Sequence, residues 1–537
     1  MRIIIRQLEL PLDYKQEQIL AAIISRLGCS PEDVLEFSLL KRSLDARPRR
    51  KAPVFVVQAE ASIKKEFGRQ LKKIKDVEIL PDLAAKDIEP PVINTPIFRP
   101  VVVGAGPAGL MAAYHLAAVG LKPLLIDRGC SALERKTAVD DFWRTGKFDS
   151  ENNALYGEGG AGLFSDGKLT ARSKDKPRMR LFFSTLVEAG ADPDILIDSE
   201  PHIGSDKLLE IIPGIREKII QYGGEIKFET RLEKIITHDG QVQAIIINGN
   251  EFKTRHLLLA TGHSARDVYQ LLAENEVELL VKSFAIGVRL EMPQAQINKG
   301  QYGDFAGHPQ LKPASFKVTR KAEKDCRACY SFCMCPGGVV ISCASQEGML
   351  TTNGMSYSTR DGFWGNAAFL VPVGPEDYAA TSKEDMHPQL AGLAFQQQIE
   401  KAAFVEGGSN YSLPATRLAD FFADKVSETL PENRSCKRAV SADFRKILPD
   451  YVIDTLKNSI KPMLNEINSY ELCDGALLYA AETRSSSPLR ILRDESGQSI
   501  SHKGLFPAGE GSGYAGGIVS SAIDGIKAAE MLIKSLG

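Results

Sequence analysis

The sequence predicts an α/β protein of several domains, and three observations carry that reading. The run Pro100-Val101-Val102-Val103 is a buried-strand pattern that enters a G-x-G-x-x-G turn and then an apolar helix, the signature of a Rossmann-like dinucleotide unit. A second strand, glycine-rich turn and helix follow each other near residues 505–519. The length, 537 residues, exceeds what one ordinary domain holds.

In chain order, residues 2–10 read as a strand, 16–27 as a helix, 34–43 and 53–61 as strands, and 64–73 as a helix. No glycine-rich turn joins these elements, so residues 1–95 are expected to form a ferredoxin-like α/β module of the split βαβ kind. The basic run 41–51 lies between two of its strands. Without interleaved aromatics it reads as a solvated hairpin tip, which argues against a nucleic-acid partner. Pro90-Pro91-Val92-Ile93-Asn94-Thr95-Pro96 then reads as an extended linker.

The next unit has a physical reason for each residue of its turn. Gly104 permits the tight turn, Gly106 admits a phosphate to the backbone, and Gly109 lets the helix pack on the strand. Pro107 suits the first helical position, where no donor is needed, and Ala108 leaves its N–H facing the anion. Leu124-Leu125-Ile126 ends in Asp127, spaced to accept hydrogen bonds from an adenosine ribose, and this carboxylate disfavours NADP.

Three later segments decide between NAD and FAD. His256-Leu257-Leu258-Leu259-Ala260-Thr261-Gly262 is a buried strand closed by Ala-Thr-Gly; residues 224–235 read as another strand; and Leu505-Phe506-Pro507-Ala508-Gly509-Glu510 ends a strand in an acid before Gly511–Gly517. In this order the motifs resemble the glutathione-reductase-type two-motif flavoproteins. The resemblance implies FAD, with Glu510 near the ribityl chain, Gly509, Gly517 and Ile518 at the flavin edge, and Thr261 and Gly262 beside the first turn. It also implies Leu232 at the adenine and Arg128 next to Asp127. No second G-x-G-x-x-G with a following acid is present, so a dedicated NAD domain is not expected.

The segments Tyr156–Leu169, Thr261–Asp267 and Ser331–Gly338 together resemble a bacterial family of uncharacterised FAD-dependent dehydrogenases, over nearly the whole chain. That resemblance puts Gly159, Gly160, Ala161 and Gly162 on the flavin side; the other reading of this loop is a mobile surface turn. The expected architecture is a Rossmann-like FAD-binding domain (96–270 and 475–537) with an inserted β-rich, α+β substrate domain (271–474). Within the insert, 284–291 and 338–342 read as strands and 390–403 and 415–427 as helices.

Apolar and charged fractions of 43% and 25% are those of a globular protein, and a net charge of −2 argues against a general nucleic-acid binder. No export pattern opens the chain and no apolar run reaches membrane-spanning length, so a cytoplasmic protein is expected. Nine cysteines without an export signal argue against a disulfide framework.

Several side chains are candidates for chemistry. Cys326, Cys329, Cys333 and Cys335 lack the two-pair spacing of structural zinc, and no metal site is expected. Cys333 and Cys335 read either as a redox pair or as small buried hydrophobes. Arg484 is a candidate clamp for a substrate carboxylate or an ion pair at a domain interface, and Arg360 is a second candidate for anion recognition. His263 is placed to exchange a proton near flavin or to cap a strand end. The expected function is hydride transfer between a small, acidic substrate and flavin N5. The alternatives are reduction of an alkene or ketone by transiently bound NAD(P)H, an RNA-associated flavoprotein, and a flavin-bound redox sensor without turnover.

Overall fold

The computed structural model of the chain describes residues 1–47, 50–64, 71, 74–80, 96–170, 173–324, 326–379, 387–469 and 475–536. They fall into two units, Met1–Val92 with Asp192–Pro201 and Asn298–Ala314, and Ile93–Ala191 with His202–Ile297 and Ser315–Gly537.

In the first unit, apolar alternation changes parity within one strand. Ile3 and Ile5 point inward, and so do Leu8 and Leu10. A regular strand cannot do this, because its side chains alternate faces. The register breaks between Ile5 and Leu8, with Gln7 at φ 55°, and this bulge restores the inward face. Strands Arg2–Leu10, Val34–Asp45, Val54–Ile63 and Val77–Ile79 lie antiparallel in the spatial order second, third, first, fourth, the ferredoxin-like arrangement. Helix Gln16–Leu27 buries Ile19, Ile23 and Leu27, one stripe at a four-residue spacing, and stops at Gly28 in the left-handed region. The helix expected at 64–73 and the linker at 90–96 lie almost wholly outside the described residues.

Two later segments complete this unit, which the chain's linear order does not announce. The Arg42 N–H donates to the Ile197 carbonyl at 2.7 Å, and its guanidinium meets Asp194 and Asp198, each at 2.7 Å. Arg47 and Arg50 bind Asp45, and Arg50 also reaches Glu9. Three arginines of the basic run, Arg42, Arg47 and Arg50, are thereby paired within their own unit.

The second unit contains a five-stranded parallel sheet in the order Leu505–Pro507, Leu257–Leu259, Val101–Val103, Leu124–Ile126, Glu225–Lys227. Its three central strands are buried on both faces, which is why they read as unbroken apolar runs. An antiparallel meander, Leu232–His238, Gln241–Ile247 and Asn250–Lys253, packs beside it.

A mixed seven-stranded sheet follows, ordered Thr319–Arg320, Cys329–Cys335, Trp364–Val373, Phe284–Pro293, Leu477–Glu482, Leu413–Arg417, Ala439–Ser441. The helix expected at 390–403 is present as Ala391–Glu406. The one expected at 415–427 is not. Residues Leu413–Arg417 form a strand paired on both edges, with Leu477–Tyr479 and with Ala439–Ser441, and only Leu418–Phe422 is helical. Sheet pairing outweighs the local helical pattern there. The strand expected at 338–342 forms, but in a separate ribbon of Val339–Cys343 with Thr351–Met355. Leu477–Glu482 belongs to the seven-stranded sheet, so the chain rejoins the parallel sheet at Leu505–Pro507 rather than at 475.

Candidate functional site

At the carboxyl edge of the parallel sheet three glycine-bearing turns and one loop converge. A Cβ on Gly104 would lie 2.5 Å from the Ala260 carbonyl oxygen and 3.1 Å from Thr261 Cα. One on Gly509 would lie 2.8 Å from Ala108 Cβ, and one on Gly162 2.9 Å from Ile518. Gly160 approaches Pro107 so closely that an added Cβ would sit 3.2 Å from its ring. A side chain at Gly104 would displace backbone, and one at Gly509, Gly162 or Gly160 would crowd Ala108, Ile518 or Pro107, so glycine keeps the surface facing the helix start at Pro107 close-packed. Helix Pro107–Ala118 begins at Gly106 without a side-chain cap, which leaves its first N–H groups directed outward.

Buried charges hold this cradle. Asp127, 5% exposed, accepts hydrogen bonds from the N–H of Ala105 (2.7 Å) and of Gly129 (2.9 Å), which fixes the first turn; burial pushes its carboxyl up. Arg128 pairs with Glu151 and Asp267 and lies 4.9 Å over the Tyr156 ring. Arg135, fully buried, donates to the carbonyls of Asn153, Glu158 and Gly160 and so anchors the Gly157–Gly162 loop. Glu158, also fully buried, accepts from the Ala132 N–H and from Arg216. At the last turn, Asp524 accepts from the Gly509 N–H at 2.8 Å and pairs with Arg493. Leu232 opens the first strand of the meander and is buried.

Arg135 and Asp524 escaped the sequence reading. Each sits in an amphipathic helix among ordinary charged neighbours, and nothing in the spacing marks it.

Beyond the cradle lies a small set of titratable groups. His263 Nε2 is 3.7 Å from Glu510 Oε1, and the Gly517 N–H also acts on the Glu510 carboxylate. Burial raises Glu510 to about 7, against the pull of Lys282. Burial, Arg484, Arg266 and Lys282 together push His263 down to about 3, so its imidazole is neutral at physiological pH. It can offer or accept a hydrogen bond there without carrying a charge. Lys282 makes no ion pair among the described residues, and burial and Arg490 lower its own ammonium.

Both candidate anion clamps carry internal ion pairs; for Arg484 this is the second of the two readings its sequence position allowed. Arg484 is buried with its Nε and one terminal nitrogen on Glu400 (2.9 and 2.8 Å) and the other on Ser345 Oγ (2.7 Å). Arg266 takes the same carboxylate from the other side at 2.7 and 2.9 Å. Burial works against the Glu400 charge, but the two arginines outweigh it and hold the carboxyl well below the usual range. Arg484 is therefore half of an internal ion-pair cluster. Arg360 likewise spends Nε and a terminal nitrogen on Asp166, itself 1% exposed.

Cys333 and Cys335 do come together. Cys333, at φ 44°, lies inside a break in register that runs from Phe332 to Cys335, and the Cys335 thiol donates to the Cys333 carbonyl at 3.3 Å. Among the described residues no group of three or more His, Cys, Asp or Glu is placed to hold a metal ion. No helix there is long and apolar enough to cross a membrane.

Comparison with known proteins accords with this geometry. Residues 98–280 match the pyridine nucleotide-disulphide oxidoreductase family, and 283–485 match the family described as FAD-dependent protein, C-terminal domain-like. Residues 2–62 match a domain of unknown function. A protein of Clostridium beijerinckii, itself described as uncharacterized, is 42% identical over 540 residues, spanning 99% of both chains. The chain belongs to the bacterial FAD-dependent oxidoreductases of the pyridine nucleotide-disulphide type.

As a member of that group it is a redox enzyme and its cofactor is FAD. The residues present fit the group: a main-chain cradle that a Cβ would fill, an uncapped helix start for pyrophosphate, and a buried acid at the ribose position. Among solved structures, the flavin-dependent brominase Bmp2 is 12% identical, with 82% of this chain and 79% of that one covered and a TM-score of 0.33. A mutant of the halogenase PltM in complex with FAD is 10% identical, with 82% and 69% covered and a TM-score of 0.37. Likenesses this low assign this FAD-dependent oxidoreductase no chemistry.

Proposed function

We propose that the chain is an FAD-dependent dehydrogenase that passes hydride between a carbon of a small anionic substrate and flavin N5. The observation that carries the reading is the group beyond the cradle: Glu510, a carboxyl raised to about 7, stands 3.7 Å from a neutral His263 and within the field of Lys282. A carboxyl poised near neutrality is suited to general acid–base work.

In this reading Gly106, Pro107, Ala108 and Gly109 hold the pyrophosphate, Asp127 the adenosine ribose, and Gly160 and Gly162 close the wall. Gly104, Thr261, Gly262 and Gly509 keep the strand ends close enough for that wall to be main chain, with Gly159 and Ala161 completing the loop and Leu232 backing the adenine side. Arg128 braces the loop from its ion-pair cluster, and Gly517 and Ile518 bring the last helix to the ring. Bound FAD supplies a two-electron acceptor at N5. Glu510 takes the proton of a substrate hydroxyl or amine, His263 keeps its carboxylate oriented, and Lys282 draws the substrate's negative charge. With Arg484 and Arg360 committed to Glu400 and Asp166, Lys282 takes over substrate recognition.

The test is an anaerobic absorbance spectrum of the purified protein, recorded as small organic acids, amino acids, NADH and NADPH are added in turn. Bleaching of the flavin band by an acid supports the proposal. Bleaching by a nicotinamide alone overturns it in favour of a reductase.

A further inference from the structure

Most arginines around the cofactor cradle are spent on carboxylates: Arg484 on Glu400, Arg289 on Glu482, Arg360 on Asp166 and Arg493 on Asp524. Two basic side chains near Glu510 are not. Lys282 and Arg490 are both half-buried, and neither makes an ion pair among the described residues.

The backbone sets these two side by side. Strands Leu279–Val281 and Leu489–Ile491 form an antiparallel ribbon in which Leu280 stands opposite Arg490. The Lys282 N–H donates to the Pro488 carbonyl at 2.9 Å, one rung beyond the last pair. Leu279, Leu489 and Ile491 join the core that backs the parallel sheet, so strand alternation puts Arg490 and Lys282 together on the opposite face. They are diagonal neighbours across the ribbon, about 7–8 Å apart.

Hydrogen bonds tie this ribbon to the turn that carries Glu510. The Ile491 N–H donates to the Ser512 carbonyl at 3.1 Å, the Gly513 N–H to the Glu510 carbonyl at 3.0 Å, and the Tyr269 hydroxyl to the Gly511 carbonyl at 2.7 Å. A Cβ on Gly513 would lie 2.5 Å from the Leu489 carbonyl oxygen, so only glycine lets the turn close on the ribbon. The Arg490 guanidinium stands 4.9 Å over the Tyr514 ring, with its Nε on the Gly513 carbonyl at 3.4 Å. Its two terminal nitrogens have no acceptor among the described residues. The Lys282 charge acts on both Glu510 and His263, which places it at the titratable group beyond the cradle. Two partly desolvated cations held this close repel each other, and one bound carboxylate compensates only one of them.

Resting on the dehydrogenase reading of this site, we propose that its substrate carries two anionic groups separated by a few carbons, Lys282 receiving the group beside Glu510 and Arg490 the other. Arg490, laid flat on Tyr514, presents its terminal nitrogens for a two-point contact. A small dicarboxylate and a phosphorylated carboxylic acid share this chemistry. Because both cations are fixed to paired strands, the site selects for the second charge and for its distance from the first.

The test is a calorimetric titration of oxidised holoenzyme, at constant ionic strength, with succinate, glutarate, 3-phosphoglycerate and butyrate. At least one of the three doubly acidic compounds should bind about tenfold more tightly than butyrate, the increment of one charge-assisted contact. Whether succinate and glutarate or 3-phosphoglycerate binds best tells a second carboxylate from a phosphoryl group. In Arg490→Gln the ratio of the two affinities should fall to near one, and Arg490→Lys should restore part of it. A merely structural defect would weaken both classes of ligand and leave the ratio as it was. Equal affinities for butyrate and the other three, no binding of any, or a preference that survives in Arg490→Gln would overturn the proposal. The titration needs no turnover, so the preference is read even if no acid bleaches the flavin. Bleaching by a monocarboxylate as readily as by the doubly acidic compounds would sustain the dehydrogenase while removing the second charge.

Discussion

Glu510, half-buried, and Glu400, fully buried, are two carboxylates with opposite fates, decided by what faces them. Glu510 meets a neutral imidazole, a backbone N–H and Lys282, which makes no ion pair among the described residues, and burial wins, raising it to about 7. Where it is the base for substrate oxidation, the rate should rise with pH through about 7. Glu510→Gln should remove that limb from the kcat profile while flavin content is unchanged; an unaltered profile would take Glu510 out of the chemistry. Glu400 faces two arginines, and its depressed carboxyl contributes stability at every pH above its ordinary value of 4.5. That stability is lost as pH falls below that value. Glu400→Gln leaves both guanidinium groups uncompensated and should cost about 3–5 kcal/mol in urea unfolding at pH 7, a loss that shrinks toward acid pH. Sequence alone presented Arg484 as a clamp or an ion pair, and a residue on a distant helix, Glu400, settled the matter.

Among elements, the first glycine turn shows which of its residues serve the fold and which serve the ligand. A Cβ on Gly109 would overlap the Gly104 carbonyl, whereas one on Gly106 would meet Gly160 Cα at an ordinary 3.6 Å. Gly109→Ala should therefore lower the thermal midpoint of the whole second unit, by backbone clash. Gly106→Val should keep a near-normal midpoint in the flavin-free protein yet retain little FAD after gel filtration. Equal thermal losses in both variants would show that Gly106 serves only packing. This turn was legible because its glycines are fixed by local geometry. The strand Leu413–Arg417 was not, since its partners lie at Leu477–Tyr479 and Ala439–Ser441.

For the molecule as a whole, the first unit is assembled from three separated stretches of chain. Arg42 satisfies Asp194 and Asp198, and backbone bonds run between Arg42 and both Ile197 and Ser199. Removing residues 1–92 leaves those partners without their strand. Such a truncated protein should retain FAD in stoichiometric amount but be cut by thermolysin within 192–201 and 298–314 well before the full chain is. Equal protection in the two proteins would show that these segments hold their structure without the module.

The sequence by itself determined the parallel sheet, its turns and the cofactor, because each of these depends on short-range rules: strand into glycine turn into helix, with an acid at a set distance. The ferredoxin-like order of the first module was legible for the same reason, apart from its bulge. The tertiary structure decided which charges are free. Arg484 and Arg360 are spent on Glu400 and Asp166, and Lys282 makes no ion pair among the described residues. Those two pairings join residues 84 and 194 positions apart in the chain, and no periodicity or spacing encodes a contact made across that distance.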